Sequence, residues 1–283
     1  SGYVNTAIVL GVEKWTDVIG PESESALAQE LDFDYEAIPG LTSVSQAGLL
    51  MQRYLYENHL PADALGGFPM LAHGNAVHNP NAIYRKAISA ETYANSEMMS
   101  DPLRVMDAAA FADGAAALVL TRRDLLPADY SHPVISLSGS SVSIDTLAWH
   151  DRHDPLAFTA AKKAVESATR QAGILPKYAH LFELDDTYSI YAALSLEACG
   201  LADKGNAWKL AKEGLLAPNG KLPVMTMGGC KARGNPVGAK GVYQAVEAVQ
   251  QLRGEAGANQ VPDARIALTL ALGGPASTAI AHV

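Results

Sequence analysis

From residue 134 to the C-terminus, short apolar runs alternate with longer stretches of helical periodicity, and few folds accommodate that alternation. "VISLSGSSVS" (134–143) reads as a strand leading into a small-residue loop. "PLAFTAAKKAVESATRQAGI" (155–174) is an amphipathic helix ended by Gly173. "HLFELDD" (180–186) is a strand, and "YSIYAALSLEACG" (188–200) a helix closed by Gly200. "KLPVMTMGG" (221–229) is a strand, "VGAKGVYQAVEAVQQLRG" (237–254) a helix. "ARIALTLALGG" (264–274) and "STAIAHV" (277–283) are two final, adjacent strands. The order is that of a layered α/β domain. Upstream, "AIVLGVEKW" (7–15) and "DGAAALVLTRRD" (113–124) are strands separated by a helical excursion. It holds a helix over 43–60 that starts at a serine cap, another within 61–80 ended by "HNPN", and a short capped helix in "SAETYANSEMM". "LPADYSHP" (126–133) is the expected linker. The whole predicts one and a half α/β units. A buried strand this near the first residue leads us to expect a piece of something longer, or half of a split protein.

Composition narrows the function classes. Of 283 residues, 48% are hydrophobic and 18% charged, enough for a large core. The net charge of −9 argues against bulk nucleic-acid binding. Apolar runs are strand-sized or broken by glycine and proline, so no membrane span is expected. The opening "SGYVNTAIVLGVEKW" lacks a basic n-region and a cleavage site. Cys199 and Cys230 form no metal spacing and no disulfide framework. A reducing cytoplasm is therefore the expected location. His73, His78, His150 and His153 likewise show no metal spacing.

Between the strand at 221–229 and the helix at 237–254 lies "GGCKARGNPVGAKG" (228–241). Glycines there serve tight turns and close backbone approach, and the following helix presents free N–H groups. Neither G-x-G-x-x-G nor G-x-x-x-x-G-K-S/T is present, so spacing alone favours a structural turn.

With its flanks, "KLPVMTMGGCKARGNPVGAKGVYQAVEAVQQLRGEAGANQV", the loop resembles the C-terminal signature of thiolases, nearest to the sterol-carrier-protein-type and archaeal acetyl-CoA acetyltransferases. Those carry a similar "GG-x-K-A-x-G-H-P-x-G-A-T-G" run. "NPNAIYRKAISAETYANSEMMSDPLRVMDAAAFADGAAALVL", "LALGGPASTAIAHV" and "SGYVNTAIVLGVEKWTD" resemble further family blocks in the same order. The resemblance implies a thiolase fold of layered α-β-α-β-α type, with an incomplete first half, a helical loop domain and a complete second half. Residues 1–125 would be the remainder of the N-terminal half, with the loop domain at about 16–112, and 126–283 the C-terminal half. It further implies acyl-CoA C-acyltransferase chemistry, Claisen condensation or thiolysis, in a homodimer. Coenzyme A thioesters would be the substrate, with no covalently bound cofactor and no metal.

Three departures stand out. The family's nucleophilic cysteine belongs ahead of this chain's first strand, and neither Cys199 nor Cys230 matches it. This chain alone is therefore expected to be inactive, the family's first third having been cut from a longer protein, belonging to a separate chain, or being absent altogether. The family's "G-H-P" histidine is Asn235, which either orients an oxyanion or fills a turn before proline. The "H-D-x-F" motif appears as Asp185-Asp186-Thr187-Tyr188. Asp185 is then a protonated oxyanion donor or a base, or the acidic pair caps the next helix. Gly273 and Gly274 match the family's second oxyanion turn. Lys231, Arg233 and Lys240 form a basic cluster that either meets coenzyme A phosphates or is merely solvated, and Ser140 lies in the "SGSS" loop that the resemblance puts near the pantetheine channel. Two other readings stay open: an acyl-CoA retro-aldolase working with a small acyl-CoA-binding partner, and a non-catalytic acyl-CoA-binding scaffold.

Overall fold

Where apolar residues recur every three or four positions and a cap is at hand, this chain forms helices, and where they alternate it forms strands. The computed structural model describes residues 3–18 and 20–283. The first two residues of "SGYVNTAIVLGVEKWTD", and Ile19 in the expected loop domain, lie outside the described residues. In chain order the elements are β1 (Thr6–Glu13), α1 (Pro21–Leu27), α2 (Ser43–Glu57), α3 (Gly67–Ala76), α4 (Ala90–Ala94), β2 (Met98–Ser100), β3 (Leu103–Arg104), β4 (Gly114–Thr121), β5 (Ser140–Ile144), α5 (Thr159–Ala172), β6 (Leu181–Leu184), α6 (Ser189–Ala198), α7 (Ala207–Lys212), α8 (Lys240–Arg253), β7 (Ala267–Gly273) and β8 (Thr278–His282). Residues 126–133 contain neither helix nor strand.

Three sheets result. β1 and β4 pair antiparallel from Thr6–Thr121 to Glu13–Gly114, β2 and β3 form a small ribbon, and β5-β8-β7-β6 is a four-stranded sheet. Only the β6–β7 pair in that sheet is parallel; β7–β8 and β8–β5 are antiparallel. Helix α8 packs on β7 with one side and on β1 and β4 with the other, while α5 covers β5 and β8. Gly11 permits the close contact of β1 with the turn before α8, since a Cβ there would lie 2.9 Å from Ala239 Cα. The layers are thus β1–β4, α8, the four-stranded sheet, and α5.

Several expectations need correction. The run 221–229 is not a strand; it touches β6 through one bridge, Phe182 to Val224. Pro223 has no N–H to give the ladder, and Met225 takes a positive φ of 50°, which turns the chain away. In 134–143 the small-residue end is itself the strand β5, and 134–139 carry no regular structure. The cap of α2 is Thr42, not a serine: its hydroxyl accepts from Ser45 N at 3.1 Å and the Ser45 hydroxyl accepts from Thr42 N at 2.8 Å.

The helical excursion shares one core with the C-terminal part. Leu50, Met51, Tyr54 and Phe68 from α2 and α3 join Phe158, Phe182, Ile190, Leu268 and Leu270 in a single buried cluster. Helix α6 is buried on all sides, as expected of a helix without a polar face. Two apolar faces remain open. One carries Ile8 (73% exposed), Leu10, Val12 and Val119 on the side of β1–β4 turned away from α8. The other carries Val142, Ile144 (74% exposed) and Ile280 on β5 and β8, opposite the face that buries Ala279 and Ala281.

Glycine substitutions test this packing. A Cβ at Gly139 would overlap the Ala168 carbonyl of α5, whereas at Gly74, exposed in α3, it would meet nothing within 4 Å. Gly139→Ala is expected to destabilise by about 1–3 kcal/mol and Gly74→Ala to stabilise by about 0.4–1 kcal/mol, both measured by denaturant unfolding.

Candidate active site

The glycine loop turns around a carboxylate of the chain itself. Gly228 and Gly229 have φ of 104° and 54°, and a tight turn follows over Gly229–Arg233. Inside it sits Asp186, accepting from Cys230 N at 2.6 Å and Lys231 N at 3.4 Å. A Cβ at Gly229 would come within 2.6 Å of both Asp186 oxygens, so the close approach requires glycine there. The backbone cradle therefore exists, and an internal anion fills it.

The expected basic cluster is also turned inward, which corrects its assignment to coenzyme A phosphates. Lys231 is 1% exposed and donates to the carbonyls of Asp107 and Asp186, each at 2.6 Å. Burial holds its pKa below the usual lysine value, against the pull of Asp186 and Asp107. Arg233 is buried in an ion pair with Glu247 at 2.6 Å and lies over the Tyr243 ring. Lys240 pairs with Asp185. A cation enclosed with its counter-charge is not presented to a phosphate.

Residues 108–112 run extended between two candidate residues. Ala109 N donates to Thr187 O at 2.7 Å, Asn235 N to Ala110 O at 2.8 Å, and Ala112 N to Asn235 O at 3.2 Å. This segment holds Tyr188 and Asn235 beside one cavity, lined also by Glu30, Ser43, Tyr191, Lys240 and Gly274. Its free volume is about 20 Å³, room for roughly one water. Asn235 is 2% exposed, and its Oδ1 is buried without a hydrogen-bond partner among the described residues. The Tyr191 hydroxyl is likewise buried and unpartnered, and burial pushes its phenol pKa far up. The Tyr188 hydroxyl lies 3.2 Å from Ser43 Oγ, and its ring meets Tyr191 edge-on at 5.0 Å.

Asp185 is not protonated. Burial alone would raise its pKa, but the Lys240 ammonium and two Thr187 donors hold it below the usual aspartate range. Those donors are Thr187 N at 2.9 Å and Thr187 Oγ1 at 2.6 Å. This corrects the reading of Asp185 as a protonated oxyanion donor. Neither Asp185 nor Asp186 caps α6, whose N-cap Tyr188 makes no side-chain cap bond. Burial pushes Glu30 up, only partly offset by Lys240.

The remaining expected residues fall as follows. Gly274, with φ of 51°, reaches the cavity, whereas Gly273 ends β7 and accepts from Ser277 N. Ser140 opens β5, exposed and away from the cavity. Cys199 and Cys230 are buried free thiols outside the cavity lining, and burial raises both pKa values. Glu30, Ser43 and Tyr191 were not singled out from the sequence, because no motif marks them and only the fold brings them together. Among the described residues no group of three or more His, Cys, Asp or Glu side chains has the placement to hold a metal ion. Nor is any helix long and apolar enough to cross a membrane.

A family model described as "Thiolase C-terminal domain-like" matches residues 141–283. An acetyl-CoA acetyltransferase of Methanothermobacter thermautotrophicus is 37% identical over 283 residues, spanning all of this chain and 73% of the relative. The benzoylsuccinyl-CoA thiolase subunit BbsB of Thauera aromatica is 29% identical over 275 residues, 96% of this chain and 70% of that one. Among solved structures, the "Ltp2-ChsH2(DUF35) aldolase" superposes with a TM-score of 0.84 at 22% identity, covering 98% of this chain and 72% of that one, a likeness of fold.

One further carboxyl sets a pH dependence. Glu183 on β6 accepts from Thr226 N at 2.9 Å and Thr226 Oγ1 at 2.6 Å. Burial first, then the charge of Glu247, pushes its pKa up to about 8. The folded chain thus keeps a proton that the unfolded chain releases near its ordinary value of 4.5, so stability falls as pH rises between 4.5 and about 8. Glu183→Gln is expected to flatten that slope and to raise Tm at pH 8.5 more than at pH 5.5, followed by thermal denaturation.

Proposed function

The chain belongs to the thiolase family, and from that premise we propose that it forms the oxyanion-binding side of an acyl-CoA C-acyltransferase site. The observation that carries this is the amide of Asn235, 2% exposed at the wall of a cavity, whose Nδ2 is the kind of donor a developing oxyanion needs. Its Oδ1, an acceptor with no protein donor among the described residues, is left for a ligand N–H or O–H and takes no part in holding negative charge. In Claisen condensation or thiolysis, negative charge gathers on a thioester oxygen. The Asn235 amide donates to that oxygen, and Gly274 forms the neighbouring wall. An amide takes up no proton near neutral pH, so Asn235 binds and orients and leaves base chemistry to other groups.

The thiolate is not Cys199 or Cys230, both buried with raised pKa. We assign it to polypeptide outside this chain, packed on the open apolar faces around Ile8 and Ile144. Support comes from the acetyltransferase relative, of which this chain spans 73%. The acyl group arrives as a coenzyme A thioester, and the assembled enzyme is a homodimer.

Retro-aldol cleavage is the second reading, favoured by the Tyr188–Ser43 hydroxyl pair beside the ionised Asp185. It needs no thiolate. A base takes the proton of a 3-hydroxyacyl-CoA hydroxyl, and that oxygen becomes a carbonyl. The Cα–Cβ bonding electrons pass to the α-carbon as an enolate, which regains a proton. The small acyl-CoA-binding partner belongs to this reading.

This chain alone is expected to give no turnover above background in thiolysis of a short 3-ketoacyl-CoA; turnover would overturn the assignment of the thiolate elsewhere. In the assembled enzyme, Asn235→Ala is expected to lower kcat by about 10²–10³-fold with little change in KM, measured by steady-state kinetics. Absence of lyase turnover of a 3-hydroxyacyl-CoA would remove the second reading, and turnover that survives the double change Asp185→Asn and Tyr188→Phe would remove the roles of these two residues in it.

A further inference from the structure

Lys240 begins α8, and its side chain is 12% exposed at the wall of the cavity that also holds Asn235 and Gly274. An ammonium has three donors. One meets Asp185 Oδ2 and one reaches Thr187 Oγ1 at 3.4 Å; no third acceptor hydrogen-bonds it among the described residues. Burial works against the charge, but Asp185 above all outweighs it, so the side chain stays protonated. In the loop run quoted earlier, Lys240 stands at the threonine of "G-A-T-G", and Asp185 at the histidine of "H-D-x-F". The two departures lie far apart in sequence and touch in the fold.

We propose that Lys240 is a further catalytic residue, the cation that meets the thioester oxygen of a bound acyl-CoA and stabilises the enolate formed there. This rests on the acyl-CoA reading above. A carboxylate in place of a donor histidine would repel that oxygen. Lys240 restores a donor at the same point, and Asp185 becomes the positioning residue that holds the ammonium toward the cavity. The α8 N-terminus behind it adds a positive dipole end of the same sign. Asn235 and Lys240 then approach one oxygen from two elements, with no proton transferred between them. Asp185 offsets the Lys240 charge, and burial pushes Glu30, the carboxyl in the cavity lining, toward its protonated form, so an anion is drawn through the unused N–H of Lys240 rather than through bulk charge.

Acetoacetyl-CoA tests this, since its enolate absorbs in the near ultraviolet and its keto form does not. Binding to this chain is measured by equilibrium dialysis, and the pH midpoint of the enolate band by titration of the bound ester. A neighbouring cation lowers such a midpoint, and with the charge partly offset by Asp185 the expected shift is about one pH unit. The double variant Asp185→Asn with Lys240→Met removes both charges and leaves no orphaned ion. It is expected to bind the ester with the midpoint of free acetoacetyl-CoA, while Lys240→Arg retains a shift. Bound ester with an unshifted midpoint on the unaltered chain overturns the assignment of Lys240 while leaving the acyl-CoA reading in place. So does a double variant whose midpoint equals that of the unaltered chain. Absence of saturable binding overturns the acyl-CoA reading, and the assignment of Lys240 with it.

Discussion

A buried carboxylate, Asp186, stands where three segments of the chain meet, and the candidate site hangs on that junction. Its oxygens take the N–H groups of Cys230 and Lys231, and so hold the glycine turn. Its own carbonyl, with that of Asp107, takes the Lys231 ammonium. Through these bonds the segments 107–112, 185–188 and 228–235 share one point, and each delivers part of the cavity wall. The turn could not close with a side chain at Gly229, because the carboxylate occupies that space. A loop of this composition is able to cradle an external phosphate; here the protein supplies the anion, which makes the loop a positioning device.

The same logic governs the other cations of the loop. Arg233 with Glu247 and Lys240 with Asp185 are ion pairs removed from solvent, and removing one partner of such a pair costs about 3–5 kcal/mol. Their contribution is mainly specificity of arrangement, since each pair fixes helix α8 against a different neighbour. Arg233 ties the helix to the loop that precedes it, and Lys240 ties its first turn to the end of β6. Asn235 lies between these two anchors, which explains how a turn residue becomes almost fully buried.

The cavity sets a polar side against an apolar one made of Leu27, Phe111 and Val237. Hydroxyls, an amide, a glycine turn and a lysine converge, while both thiols lie buried elsewhere. Two apolar sheet faces, around Ile8 and around Ile144, stand open. The family's chemistry needs a nucleophile and a means of holding developing negative charge, and among the groups that line this cavity there is no thiol.

Local pattern was enough to find most elements. β1, β4, α2, α5, α6, α8, β7 and β8 appear where the sequence pattern places them, because each has an apolar stripe, an alternation or, in α6, a continuous apolar run closed by Gly200. Where pattern failed, neighbours decided. The run 221–229 is as apolar as a strand, yet Pro223 and the positive φ of Met225 stop its pairing after one bridge. The small residues 140–144 look like loop, yet they form an edge strand because β8 offers them a partner in register. For the site, the sequence by itself determined the family blocks, the glycine loop, and that asparagine and aspartate stand where histidines would. It could not say where the charges point. Lys231, Arg233 and Lys240 read as a surface cluster, and the fold turned all three inward to meet carboxylates and carbonyls distant in sequence. It likewise brought Glu30, Ser43 and Tyr191 to Asn235. Periodicity records which face of an element is apolar, whereas the partner of a buried charge depends on which elements are packed together, and only the tertiary structure decides that.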